Sequence, residues 1–112
     1  MTTTQTASEQ ITEELVSWPG VTAGPGARGA FSFTLGRREL GHLHGDRVLH
    51  IGFPKGVWHE LHEAGRIDYH PVFPGKPGFG ARQLESEDDV RDAIALLRIN
   101  YDRVVAQHGL PD

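Results

Sequence analysis

The sequence predicts an α+β fold over residues 8–112. A small antiparallel sheet, made of a three-strand meander plus a fourth strand, carries helices packed on one face, in the order α-β-β-β-α-β-α. Three observations lead there. Apolar and polar residues alternate along residues 30–35, 38–44 and 47–53. Only Gly36–Arg37 and Gly45–Asp46 separate these runs, which suits hairpins. Apolar residues instead recur every three to four positions near both ends of the chain, the period of a helix.

Residues 1–7 are Thr-rich, lack an apolar period and read as a disordered tail. Ser8 is the expected cap of the first helix, whose inward stripe is Ile11, Leu15 and Trp18 and which ends at Pro19–Gly20. Residues 21–29 hold four Gly or Pro and are expected to be loop. The meander follows, with Phe31, Phe33 and Leu35 on one side of its first strand, and Pro54 closes it. Residues 57–64 form a short helix with Val57, Trp58 and Leu61 inward and Gly65 as its stop. Residues 66–69 have the pattern to start a strand, whereas residues 71–80, with three Pro and three Gly, are irregular. Residues 79–84 alternate weakly and supply the fourth strand. Ser86 caps the long final helix, residues 86–108, with Glu87, Asp88 and Asp89 at the positive end of its dipole. Its stripe is Val90, Ile94, Leu97, Tyr101 and Val104/Val105.

Composition excludes several functions. With Lys plus Arg at 11 and Asp plus Glu at 15, the net charge is −4, and no basic face for nucleic acid or anionic membrane is expected. There is no Cys, so disulfides, thiolate catalysis and Cys-ligated zinc are out. No apolar run approaches membrane-spanning length, and residues 1–10 lack the pattern of a secretory signal. The expected location is the cytoplasm and the expected partner a small molecule; the oligomeric state is left open.

Seven histidines are the chemical signal. In Gly41-His42-Leu43-His44-Gly45, a strand places His42 and His44 on one face about 7 Å apart. His50 joins them only if the hairpin loop has three residues. A two-residue Gly45–Asp46 turn would pair His42 with Leu49 instead. Turn chemistry favours the shorter loop. The apolar pattern of Leu43, Leu49, Ile51 and Phe53 favours the longer one and is given more weight. A His-x-His on a strand is also a common polar face without chemistry. As a metal set, His42, His44 and His70 would lack a carboxylate, because no Glu stands at residues 47–49 as in the first cupin motif and Glu39 has the wrong strand parity. No metal and no cofactor are therefore expected. His59 and His62, beside Glu60 and Glu63, read as a solvated helix face. Pro74-Gly-Lys-Pro-Gly78 lacks the ending of a phosphate loop.

Three stretches resemble a known family: Arg38-Glu-Leu-Gly-His-Leu-His44, Leu49-His-Ile51, and Gly65-x4-His70-Pro71. They are similar to the small luciferase-like domain, found in bacterial single-domain proteins and best known from fungal luciferase. The resemblance spans residues 18–101. Fungal members have a longer hairpin at Gly45–Asp46 and a membrane-anchoring N-terminal extension, neither of which the chain shows; a soluble protein is expected. The resemblance implies oxygenation without a cofactor, in which an electron-rich hydroxypyrone reacts with O2. It does not carry that reaction to the bacterial members.

That chemistry suits histidine. A phenol or enol must lose a proton before its carbon can give an electron to O2, and imidazole titrates near neutral pH. His42 is the expected base, with His44 and His70 as catalytic partners. Arg38, Glu39 and His50 are expected to surround the substrate, and Phe53, Trp58, Tyr69, Phe73 and Phe79 to pack it. A binding domain without chemistry and a His-ligated metal protein are the alternatives. Convergence of the imidazoles on one cavity favours the enzyme.

Overall fold

A computed structural model describes residues 5–111. Its elements are α1 (Ala7–Val16), β1 (Val21–Pro25), β2 (Phe31–Leu35), β3 (Arg38–His44), β4 (Val48–Gly52), α2 (Lys55–Glu63), β5 (Asp68–Tyr69), β6 (Phe79–Gln83) and α3 (Glu87–His108). A one-turn 3₁₀ segment, Ala27–Gly29, joins β1 to β2. All strands pair antiparallel in the order β1-β2-β3-β4-β6-β5.

The fold is the expected α+β class, with a wider sheet: six strands instead of four. The two additions are its edges. β1 was expected to be loop because of Gly24 and Pro25. An edge strand tolerates both, since Pro25 stands at the strand end and Val21 still turns into the core. Thr22 and Thr34 add a cross-strand hydroxyl pair at 2.8 Å. β5 has only two residues and covers the outer edge of β6.

Helix α1 starts two residues earlier than expected. Thr6, not Ser8, is its cap: the Thr6 hydroxyl accepts from Glu9 N–H, and the Glu9 carboxylate accepts from Thr6 N–H at 2.9 Å. A Thr-x-x-Glu box satisfies two orphan amides and outcompetes Ser8, which has no acid three residues on. Ser8 N–H instead donates to Asp46 at 2.8 Å, tying α1 to the β3–β4 loop. Of the expected disordered tail, residues 1–4 lie outside the described residues, and Thr6 and Ala7 belong to the helix.

Helix α3 matches the expected span, with Ser86 accepting from Asp89 N–H. Its buried line is Val90, Ala93, Leu96, Leu97, Asn100, Tyr101 and Val104. Ile94, placed in the core by the sequence pattern, is only half-buried. Leu96 takes its place because the stripe by which α3 approaches β3 centres on Ala93, Leu97, Asn100 and Val104. Gly41 allows this approach: a Cβ there would lie 2.8 Å from Leu97 Cδ2. Phe33, Leu43, Leu49 and Ile51 form the sheet side of this core. Arg82 of β6 bridges Asp89 at 2.7 Å and Asp92 at 2.9 Å, and Arg66 reaches Asp92 at 2.6 Å, which braces α3 against β6. Among the described residues no helix is long and apolar enough to cross a membrane.

Candidate active site

The face of the sheet opposite α3 carries the histidines. The β3–β4 register pairs His42 with His50, Leu43 with Leu49 and His44 with Val48. The loop is therefore Gly45-Asp46-Arg47, the longer alternative, and all three imidazoles share one face. Burial of Leu43 and Leu49 on the other face fixes this register, since a one-residue slip would exchange the faces. Ring centroids are 5.1 Å apart for His42–His44, 5.3 Å for His42–His50 and 4.6 Å for His44–His50. His70, from the loop after β5, completes the group at 4.1 Å from His50.

Beyond His42 and His50, β3 and β4 part. Two features hold them apart. The β2–β3 ladder shifts between Phe33 and Thr34, which pair with Gly41 and Glu39, so Leu40 is an extra residue: a β-bulge. On the underside, the Asn100 amide donates to Leu40 C=O at 3.1 Å and to Gly52 C=O at 2.7 Å. Both carbonyls lie past the end of the β3–β4 ladder and would otherwise be orphaned. The bulge reverses the expected parity of Glu39 and turns its carboxylate to His42. Glu39 Oε2 lies 3.1 Å from His42 Nδ1, and Ser32 Oγ donates to Glu39 Oε1 at 2.9 Å.

Two adjoining cavities, of about 320 and 680 Å³, open over this group. Both are lined by Glu39, His42, His50, His70 and Phe73; Phe79 closes one, and His44 and Arg28 the other. Volumes of this size suit a small organic molecule. Another depression, of about 570 Å³ beside α1, holds Glu9 and Glu13, whose carboxylates are already bonded to Thr6 and Gln5.

The electrostatics favour the neutral form of two imidazoles. Burial, followed by the neighbouring His70, His44 and His42, pushes His50 down to about 4. Burial and then His42 and His44 also lower His70. Val72 N–H donates to His70 Nδ1 at 3.1 Å, so neutral His70 carries its proton on Nε2 and can donate it as a hydrogen bond. Neither ring nitrogen of His50 has a hydrogen-bond partner although both are buried. Such a group is costly unless something else fills the space beside it.

Residues 37–100 match the family model described as Luciferase domain, more than half of the chain. The chain belongs to the luciferase domain family. Comparisons with curated proteins and with solved structures gave no match.

Several residues expected around the substrate lie elsewhere in this luciferase domain. Arg38 pairs with Leu35 at the far end of β3, beside Val104 and His108. The bulge shortens the four-residue span to the three-residue rise of Ser32–Leu35 opposite, which puts Arg38 roughly 10 Å from His42. Phe53 is buried in the core. Trp58 and Tyr69 lie on the α2 side of β6, where Tyr69 pairs with Gly80, and form a cluster with His62. His62 stacks on Trp58 with centroids 4.6 Å apart, so it is half-buried and not part of a plain solvated face. Trp58 acts on the cavity only at one remove, donating to Phe79 C=O at 3.0 Å. Phe73 and Phe79 do line the cavity, with rings 4.6 Å apart. Sequence reasoning missed Asn100, Ser32 and Arg28. Asn100 had a usable signal, a polar residue inside an apolar helical stripe; Ser32 and Arg28 had none.

Proposed function

We propose that the cavity binds a planar phenolic or enolic small molecule and that His42 takes the proton from its hydroxyl. The observation that carries this reading is the Glu39–His42 hydrogen bond. It holds the proton on Nδ1 and leaves Nε2 as the basic nitrogen. Phe73 and Phe79 supply apolar walls for a ring, and the His70 Nε2–H stabilises the resulting oxyanion. The enolate then transfers one electron to O2, the substrate radical and superoxide combine into a carbon–peroxide bond, and protonated His42 returns its proton to give the hydroperoxide. No cofactor enters this sequence, and O2 is the co-substrate. The test is oxygen uptake with hydroxypyrones and catechols, using untagged, chelator-treated protein. Uptake that His42→Gln abolishes supports the reading; uptake equal in both proteins, or none at all, contradicts it.

Ring spacing favours a second use of the same cluster, as a metal centre. Metal–nitrogen bonds of about 2.0–2.1 Å in tetrahedral array put imidazole centroids about 5 Å apart. His42, His44 and His50 show 4.6–5.3 Å, and one nitrogen from each lies within 4.8 Å of the others. Glu39, turned inward by the bulge, would orient His42 as carboxylates do for metal-bound imidazoles. Elemental analysis of protein prepared without metal columns decides between the two uses. Near-stoichiometric metal together with chelator-sensitive activity selects the metal centre.

A further inference from the structure

Arg28 is the one non-glycine residue among those described with a left-handed backbone, at φ 57° and ψ 35°. Such a conformation disfavours a side chain with a Cβ, and glycine adopts it freely. Glycines stand close on either side, Gly26 and Gly29, yet the strained position holds an arginine. Residues held in this region cluster at functional sites. Arg28 lines the larger cavity with His42, His44, His50 and His70. No carboxylate among the described residues pairs with it; Arg37, Arg38 and Arg47 are unpaired too, but of these four only Arg28 lines the histidine cavity. Glu39, on the same cavity wall, is committed to Ser32 and His42. The turn that holds Arg28 is itself fixed over the catalytic group. Gly26 N–H donates to Ala30 C=O at 2.8 Å, and a Cβ on Gly26 would collide with the Ser32 hydroxyl.

We propose that Arg28 is the anion-recognition residue of this cavity, and that the substrate is a planar hydroxylated acid. Its carboxylate pairs with the Arg28 guanidinium while its ionisable hydroxyl lies at His42. The inference rests on the function proposed above and names its substrate class. A planar guanidinium binds a carboxylate through two parallel N–H bonds, which fixes orientation as well as charge.

The test titrates 4-hydroxybenzoate and its uncharged amide, 4-hydroxybenzamide, into the protein and follows the histidine ring signals by NMR. Wild type is expected to bind the benzoate at least about tenfold more tightly than the amide. Arg28→Gln is expected to remove that preference by weakening benzoate binding at least about tenfold relative to the amide. Arg28→Gly is expected to remove it too, with an unchanged or higher Tm because the left-handed turn is relaxed. Equal binding of both probes by wild type, or an undiminished preference in Arg28→Gln, overturns the role of Arg28 but leaves the cavity as a ligand site. A Tm several degrees lower in Arg28→Gly also overturns it, by giving Arg28 a structural role. If neither probe shifts the ring signals of His42, His50 or His70, the proposed function fails and this inference fails with it.

Discussion

On the helix side of the sheet, Asn100 is 2% exposed and its amide donates to two carbonyls. On the other side, His50 is 9% exposed and neither ring nitrogen has a partner. The two residues lie on either side of the same splayed pair of strands. One closes the gap between β3 and β4 from below, and the other faces the cavity the gap creates. The first face is finished by the chain's own groups. The second leaves both ring nitrogens of His50 without a partner from the chain. The contrast lies in the partners: Asn100 is satisfied by the chain, and His50, which faces the cavity, is not.

Breaking the finished face has the largest effect. Leu97→Ala removes a fully buried side chain that presses on Gly41, and should cost about 2–5 kcal/mol in chemical denaturation. Ile94→Ala, on the half-buried flank, should cost about 1 kcal/mol; equal losses at both positions would mean the helix is rotated from the arrangement described.

The unfinished face predicts a pH dependence. His50 titrates near 4 in the folded protein and near its ordinary 6.5 when unfolded. The unfolded chain therefore takes up the proton first as pH falls. The stability associated with neutral His50 is full above about 6.5 and is lost progressively down to about 4, by about 3 kcal/mol. Stability curves of wild type and His50→Leu should diverge in that window. Parallel curves would show that His50 is not held neutral.

Asn100→Ala leaves the buried Leu40 carbonyl and the part-buried Gly52 carbonyl without this donor, which should cost about 2–3 kcal/mol. It should also release the bulge, so that NMR no longer shows His42 fixed with its proton on Nδ1. Stability loss with an unchanged His42 tautomer would separate the bulge from Asn100. Glu39→Gln should have the smallest effect on stability, under about 0.5 kcal/mol, because the carboxylate is exposed. Its effect should appear instead in the His42 ring signals.

The same contrast separates what the sequence disclosed from what it hid. Strict alternation made β2, β3 and β4 legible, and the apolar face settled the hairpin register against the turn chemistry. β1 was hidden because its Gly24 and Pro25 resemble loop, and an edge strand needs few ladder bonds. Leu40 was the costlier omission. A bulge leaves no mark in residue parity, so Glu39 was assigned to the wrong face and its pairing with His42 went unseen. Aromatic side chains posed the same difficulty in another form. Phe73, Phe79, Trp58 and Tyr69 look alike in composition, and only the tertiary arrangement brings Phe73 and Phe79 to the cavity and gathers Trp58 and Tyr69 beside His62.

The central claim is that His42, held by Glu39, takes a proton from a bound hydroxyl. 4-Nitrophenol reports this directly, since its anion and its neutral form absorb at different wavelengths. Bound to wild type at a pH where the free probe is protonated, it should show the anion band, and His42→Gln should bind it in the neutral form. A neutral spectrum in wild type, or the same anion band in His42→Gln, would contradict the claim.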